Sequence, residues 1–168
     1  MKSNIHTTIA VTKPSKSKDR MYDGVISGDV SGKSPVILVW YCKDIRDGYR
    51  GLEWASKQLG DNPRDLQAWK RLWRNSCAMT TWGGFKYQVP GEPDREAAFV
   101  FFCKRFWRIR TVVHESSHIL KALYSKVVKK CANSAASGKH DEVLADLQAS
   151  MVYAICEGGR SKLGAPKA

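Results

Sequence analysis

The apolar positions of the chain fall into two unbroken runs and several helical stripes. Val36 to Cys42 (VILVWYC) is rich in β-formers and predicts a buried strand. Ala97 to Cys103 (AAFVFFC) predicts a second. Both runs are far too short to span a bilayer. Between them, Arg50 to Leu59 reads as a helix ended by Gly60. Asp61-Asn62-Pro63 then starts another helix, with a capping residue ahead of a proline in the first turn. It runs to about Arg74, and Leu66, Trp69, Leu72 and Trp73 mark its core side. Thr80 to Val89 contains Trp82-Gly83-Gly84-Phe85, which predicts an edge strand with a glycine bulge or a close backbone approach. Residues 104–110 (KRFWRIR) form a basic connector into a helix from about Thr111 to Lys130, with Val113, Leu120, Tyr124 and Val127 as its core stripe. A loop at 132–139 precedes a last helix, from Asp141 to about Cys156. Strands come first and helices last, with helices in between, which is an α+β order.

The ends read differently from the middle. Residues 1–20 form a basic N-terminal tail, open to disorder or tied down by a short strand near Thr7 to Val11. Residues 21–157 make a single domain, and 158–168 (GGRSKLGAPKA) a flexible C-terminal tail. Gly32-Lys33-Ser34 resembles the end of a phosphate-binding loop. That motif needs four residues between its glycines, and Gly28 to Gly32 leaves three. No strand-forming run is read directly ahead of it, so the motif is rejected.

Composition excludes several classes. With 168 residues and 43% hydrophobic side chains the chain has material for a core, so disorder throughout is excluded. No apolar signal stretch opens the chain, and the expected location is the cytosol where it is made. The net charge is +12, spread as +4 over 1–60, +5 over 61–110 and +3 over 111–168. Such a balance allows an acidic partner. No aromatic-interleaved basic module appears, so nucleic acid is a possible partner but not the favoured one. The five cysteines (42, 77, 103, 131 and 156) are odd in number, widely spaced and free of CxxC, which fits buried thiols in a reducing compartment.

The sharpest signal is His114-Glu115-Ser116-Ser117-His118. Two histidines four apart share one helix face, so both imidazoles can reach one Zn²⁺. The glutamate beside the first can take a proton from water on that ion. A catalytic zinc needs a third protein ligand and one open position. The last helix offers Glu142, with Asp146 four residues on and on the same face. Ala145 and Ala149 give a small-residue strip for close approach. Glu142 is therefore assigned as third ligand, Asp146 as a support for a histidine ring N–H, and His140 as a rival ligand or oxyanion donor.

HExxH at His114, Glu115 and His118, followed by a helix carrying Glu142, Ala145 and Asp146, resembles the Glu-zincin branch of the zincin metallopeptidases. Small phage-encoded HExxH peptidases are the nearest general likeness. The helix DEVLADLQASMVYAI also looks like its counterpart in peptidases that cut phage-type repressors and in anti-restriction zincins. The resemblance covers about residues 80–157 and does not extend to 1–79.

It implies a zincin-like fold: a small sheet, an active helix carrying HExxH and a following helix carrying the third ligand. It implies one catalytic Zn²⁺ and hydrolysis of a protein or peptide substrate by a metal-activated water, with Glu115 as general base. In a phage-encoded chain the setting is the host cytosol. It also implies an edge strand on which substrate adds, here at Gly83, Gly84 and Phe85 or along Ala97 to Cys103. His140, Tyr153 and Tyr87 are the candidate oxyanion donors. The alternative is a basic zincin-like binding module for nucleic acid or a host protein, with little or no catalysis. A metal-dependent hydrolase of another bond stays open as a third reading.

Overall fold

The computed structural model describes residues 10–12, 24–27, 36–59, 63–76, 78–87, 95–123 and 138–168. Its strands are β1 (Ala10–Thr12), β2 (Gly24–Ser27), β3 (Val36–Cys42), β4 (Ala78–Tyr87) and β5 (Arg95–Cys103). Its helices are α1 (Ile45–Leu59), α2 (Pro63–Asn75), α3 (Ile109–Leu123) and α4 (Gly138–Leu163). The class is α+β. The strands form one mixed sheet in the order β1-β2-β3-β5-β4, in which only β3 and β5 run parallel. No helix among the described residues is long and apolar enough to cross a membrane.

The two apolar runs become the central strands because they are buried on both faces. In β3, Ile37, Val39 and Tyr41 meet Val100 and Phe102 of β5 under α3 and α4. The alternate residues Leu38 and Cys42 meet Phe99, Phe101 and Cys103 under α1 and α2. The sheet is thus the middle of three layers. Cys42 and Cys103 are register partners, both buried and both free thiols. Burial pushes the third described thiol, Cys156, up from its ordinary pKa; the Glu157 carboxylate adds to this and the Arg160 guanidinium opposes it.

Helix α1 begins five residues ahead of the predicted Arg50. The Asp44 carboxylate accepts from the Asp47 backbone N–H at 2.9 Å, and Asp47 accepts from the Lys43 N–H at 3.1 Å, a reciprocal cap. Gly48 lies inside this helix because Trp73 fills the space a side chain would take: a Cβ there would stand 2.2 Å from the indole. Helix α2 follows the prediction closely, with one correction. Trp73 is buried and Leu66 and Trp69 pack against the core, but Leu72 is 58% exposed.

Two further predictions are corrected. A strand, β2, does precede Gly28, and the first described element after the GKS is β3, a strand where the motif needs a helix. The phosphate-loop reading therefore fails on its spacing and on its structural context. The C-terminal segment is not a frayed tail. Helix α4 continues to Leu163, and Trp107 Nε1 donates to the Gly164 carbonyl at 2.9 Å. Backbone bonds join Lys167 to Trp107 and Ile109 to Lys167. Gly158 and Gly159 read as a helix stop, but here they let α4 pass over Tyr41 and Trp107. A Cβ on Gly159 would lie 2.6 Å from Trp107 and 2.8 Å from Tyr41.

These contacts set the sign of a substitution. In a frayed end, Gly159→Ala would raise stability by up to about 1 kcal/mol through helix propensity. Packed as it is, the added methyl should cost about 1–3 kcal/mol. Thermal unfolding of the two proteins reads which sign holds.

Candidate metal and catalytic site

The HESSH segment lies in the middle of α3, and the side α3 buries fixes what each residue does. Val112, Ile119 and Leu120 are buried against the sheet. Val113, predicted as core, is 40% exposed, so the stripe runs through Val112 and Ile119 instead. Tyr124 and Val127 lie outside the described residues. With this rotation Glu115 (6% exposed) and Ser116 (0%) turn inward, and His114 and His118 stay on the outer surface.

The two imidazoles converge. His114 Nε2 and His118 Nε2 are 3.1 Å apart, with ring planes at 79°. Two nitrogens bound to one tetrahedral zinc at the usual bond length would stand about 3.3 Å apart. The pair therefore fits joint ligation closely. Without an ion the same spacing suits one neutral ring donating to the other.

Glu115 is held from the sheet. Thr80 Oγ1, on β4, donates to Glu115 Oε2 at 2.5 Å, a charge-assisted bond across 35 positions of sequence. The other oxygen accepts no hydrogen bond among the described residues. His114 and Glu115 line one cleft of about 510 Å³, together with Ser76, Arg108, Arg110 and Thr111. It opens between the start of β4 and the first turns of α3.

Ser116 and Ser117 have a structural duty. Both hydroxyls donate to the Val113 carbonyl. Gln148 of α4 donates to both, at 3.2 and 2.9 Å, and reaches the same carbonyl at 3.3 Å. This clasp docks α4 on α3. Since Gly164 and Lys167 lie at the start of α3, the two helices run antiparallel.

The remaining candidates are on α4 and β4. Gln148 occupies the level of HESSH. Glu142 and His140 are on α4 six and eight residues earlier, about 9–12 Å along the axis, and their side chains lie outside the described residues. Ala145, Asp146 and Ala149 are exposed, so the small-residue strip is not the packing face of α4. Asp146 meets neither histidine among the described residues. Tyr153, 70% exposed, shares that outer face with Asp146 and Ala149 and is not brought to the cleft. Among the described residues no three His, Cys, Asp or Glu side chains group as for a metal. The edge strand is where the sequence put it. Gly83 and Gly84 are squeezed between the register pairs Trp82–Ala98 and Phe85–Ala97, forming a bulge, and β4 is the outermost strand on that side of the sheet among the described residues. The side chains of Phe85 and Tyr87 lie outside the described residues.

Neither the family models, the curated proteins nor the solved structures contain a match to this chain.

Sequence reasoning missed Thr80, Gln148, Arg108 and Arg110 as site residues. Only Arg108 and Arg110 carried a signal, as part of the basic connector. The Thr80–Glu115 bond is checked by a double-mutant cycle. Thr80→Val should lower stability by about 1–3 kcal/mol in the parent, since it strips a buried carboxylate of its donor. In a Glu115→Ala background the same change should cost much less. Denaturant unfolding of the four proteins gives the coupling.

Proposed function

We propose that this protein is a zincin-like, zinc-dependent peptidase. One observation carries the reading: the His114 and His118 nitrogens converge to 3.1 Å beside a buried glutamate, and His114 and that glutamate line a cleft that reaches the first residue of the edge strand β4. His114 and His118 are the nitrogen ligands and Glu142 the third ligand. Bound there, a zinc ion supplies an acidified water and a polarised carbonyl.

The chain's own residues do the rest. Glu115 takes the water's proton and returns it to the departing amine. Thr80 fixes one oxygen of that carboxylate and leaves the other for the proton. The outer edge of β4 accepts the substrate backbone as a further strand, and the bulge at Gly83 and Gly84 gives room for it. Gln148, through Ser116 and Ser117, keeps the turn between the histidines rigid. His140 and Tyr87 remain the oxyanion donors to test, Tyr153 being turned away. The setting proposed is the cytosol, a bacterial host's if the gene is a phage's.

Glu115→Gln keeps the size and loses the base. It should cut hydrolysis of a mixed-peptide or casein substrate by at least about a hundredfold, within the usual range for a lost general base, and leave the circular dichroism spectrum and bound metal unchanged. Undiminished hydrolysis by this variant would remove Glu115 as base.

A further inference from the structure

Arg108 and Arg110 are the part of the cleft that the peptide-hydrolysis reading leaves unused. Both line it beside His114 and Glu115. The described ion pairs join Arg50 to Asp47, Lys70 to Glu53 and Arg160 to Glu157. Neither Arg108 nor Arg110 has a carboxylate within ion-pair distance among the described residues, Glu115 included. Two guanidinium groups sharing one cleft repel each other unless an anion lies between them. They flank the first residue of α3, so the positive end of the helix dipole adds to the field there. Thr111 and Ser76 bring hydroxyls to the same wall.

We propose that Arg108 and Arg110 form a carboxylate subsite that selects acidic peptides as the substrate. The proposal rests on the peptidase reading for the word substrate, but the subsite itself stands on the arginines. Its position comes from the sheet. Thr80 of β4 meets Glu115, and the cleft is lined by Ala78, the first residue of β4, and by Ser76 just ahead of it. A peptide added antiparallel to β4 runs the other way and carries its C-terminal half to the arginines. The carboxylate is therefore an Asp or Glu side chain in that half, or the peptide's own C-terminus. Guanidinium matches either with two parallel N–H donors.

The test uses the full chain with Glu115→Gln, supplied with zinc, so that bound peptide survives. Fluorescein-labelled degenerate peptide libraries, fixed at one position as Asp or Asn and made with free or amidated C-termini, are titrated by polarisation. Expected is binding about tenfold or more tighter for the carboxylate-bearing partner of a pair, equivalent to about 1.4 kcal/mol. The preference should weaken with added salt and vanish when Arg108→Gln and Arg110→Gln are introduced together. Arg108→Lys with Arg110→Lys keeps the charge but not the fork, and should keep only part of it. The Asp/Asn pair and the free/amidated pair say which carboxylate is read. Equal binding across both pairs, no binding at millimolar peptide, or a preference that survives the double Gln variant with its melting temperature unchanged would overturn the proposal. Hydrolysis by the unsubstituted protein is scored separately. Acid preference without hydrolysis leaves the subsite and removes the peptidase; hydrolysis without acid preference does the reverse.

Discussion

Everything at the site depends on which side of α3 faces the sheet. Val112, Ile119 and Leu120 must leave water, and the sheet beneath them offers Ile37, Val39, Val100 and Phe102. Burying those three residues is worth on the order of 5 kcal/mol in transfer free energy. No polar residue on the helix can outweigh that. The rotation therefore carries Glu115 inward, where an ionised carboxylate is costly without a partner. Thr80 provides the partner from β4. The same rotation leaves His114 and His118 one turn apart on the outer side, with their nitrogens together. A carboxylate held from below and two imidazoles gathered above are consequences of one packing choice.

The second helix is fixed by equally local chemistry. Gln148 can approach because Ser116 and Ser117 are small and hydroxylated. Large residues at those positions would hold α4 away. At its far end, Gly158 and Gly159 let α4 lie against Tyr41 and Trp107, and the Tyr41 hydroxyl donates to the Ile155 carbonyl at 2.6 Å. Helix α4 is thus pinned at the level of HESSH and again at the start of α3. Its N-terminal turns, where Glu142 sits, extend past the first of these pins toward the C-terminal half of α3.

The central strands β3 and β5 and helix α2 are legible in the sequence because doubly buried strands are continuous apolar runs and because a capping residue followed by proline has few other meanings, whereas the short β2 carries no such run. The edge strand is legible from paired glycines. Three features are not. The start of α1 rests on Asp44 and Asp47, and Gly48 behind them suggests a loop until Trp73 is seen to fill its space. The buried side of α3 is displaced by about one residue from its apparent stripe, since Glu115 and Ser116 look like surface and Val113 like core. The end of α4 looks like a tail because its glycines serve aromatic rings that lie 52 and 118 positions earlier in the chain. At the site, the two histidines and the glutamate are readable as spacing. Thr80 is not, because nothing near HESSH encodes a partner 35 residues away.

A peptidase at this site requires that the paired histidines hold a metal together with Glu142. Zinc per chain, measured by elemental analysis on the unsubstituted protein, His118→Ala and Glu142→Ala prepared side by side, addresses it directly. The expected result is about one zinc per chain in the parent and clear loss in both variants. No zinc in the parent after zinc is supplied and the excess removed would contradict the metal site altogether. Full occupancy in Glu142→Ala would contradict the three-ligand arrangement and leave the histidines in need of another partner.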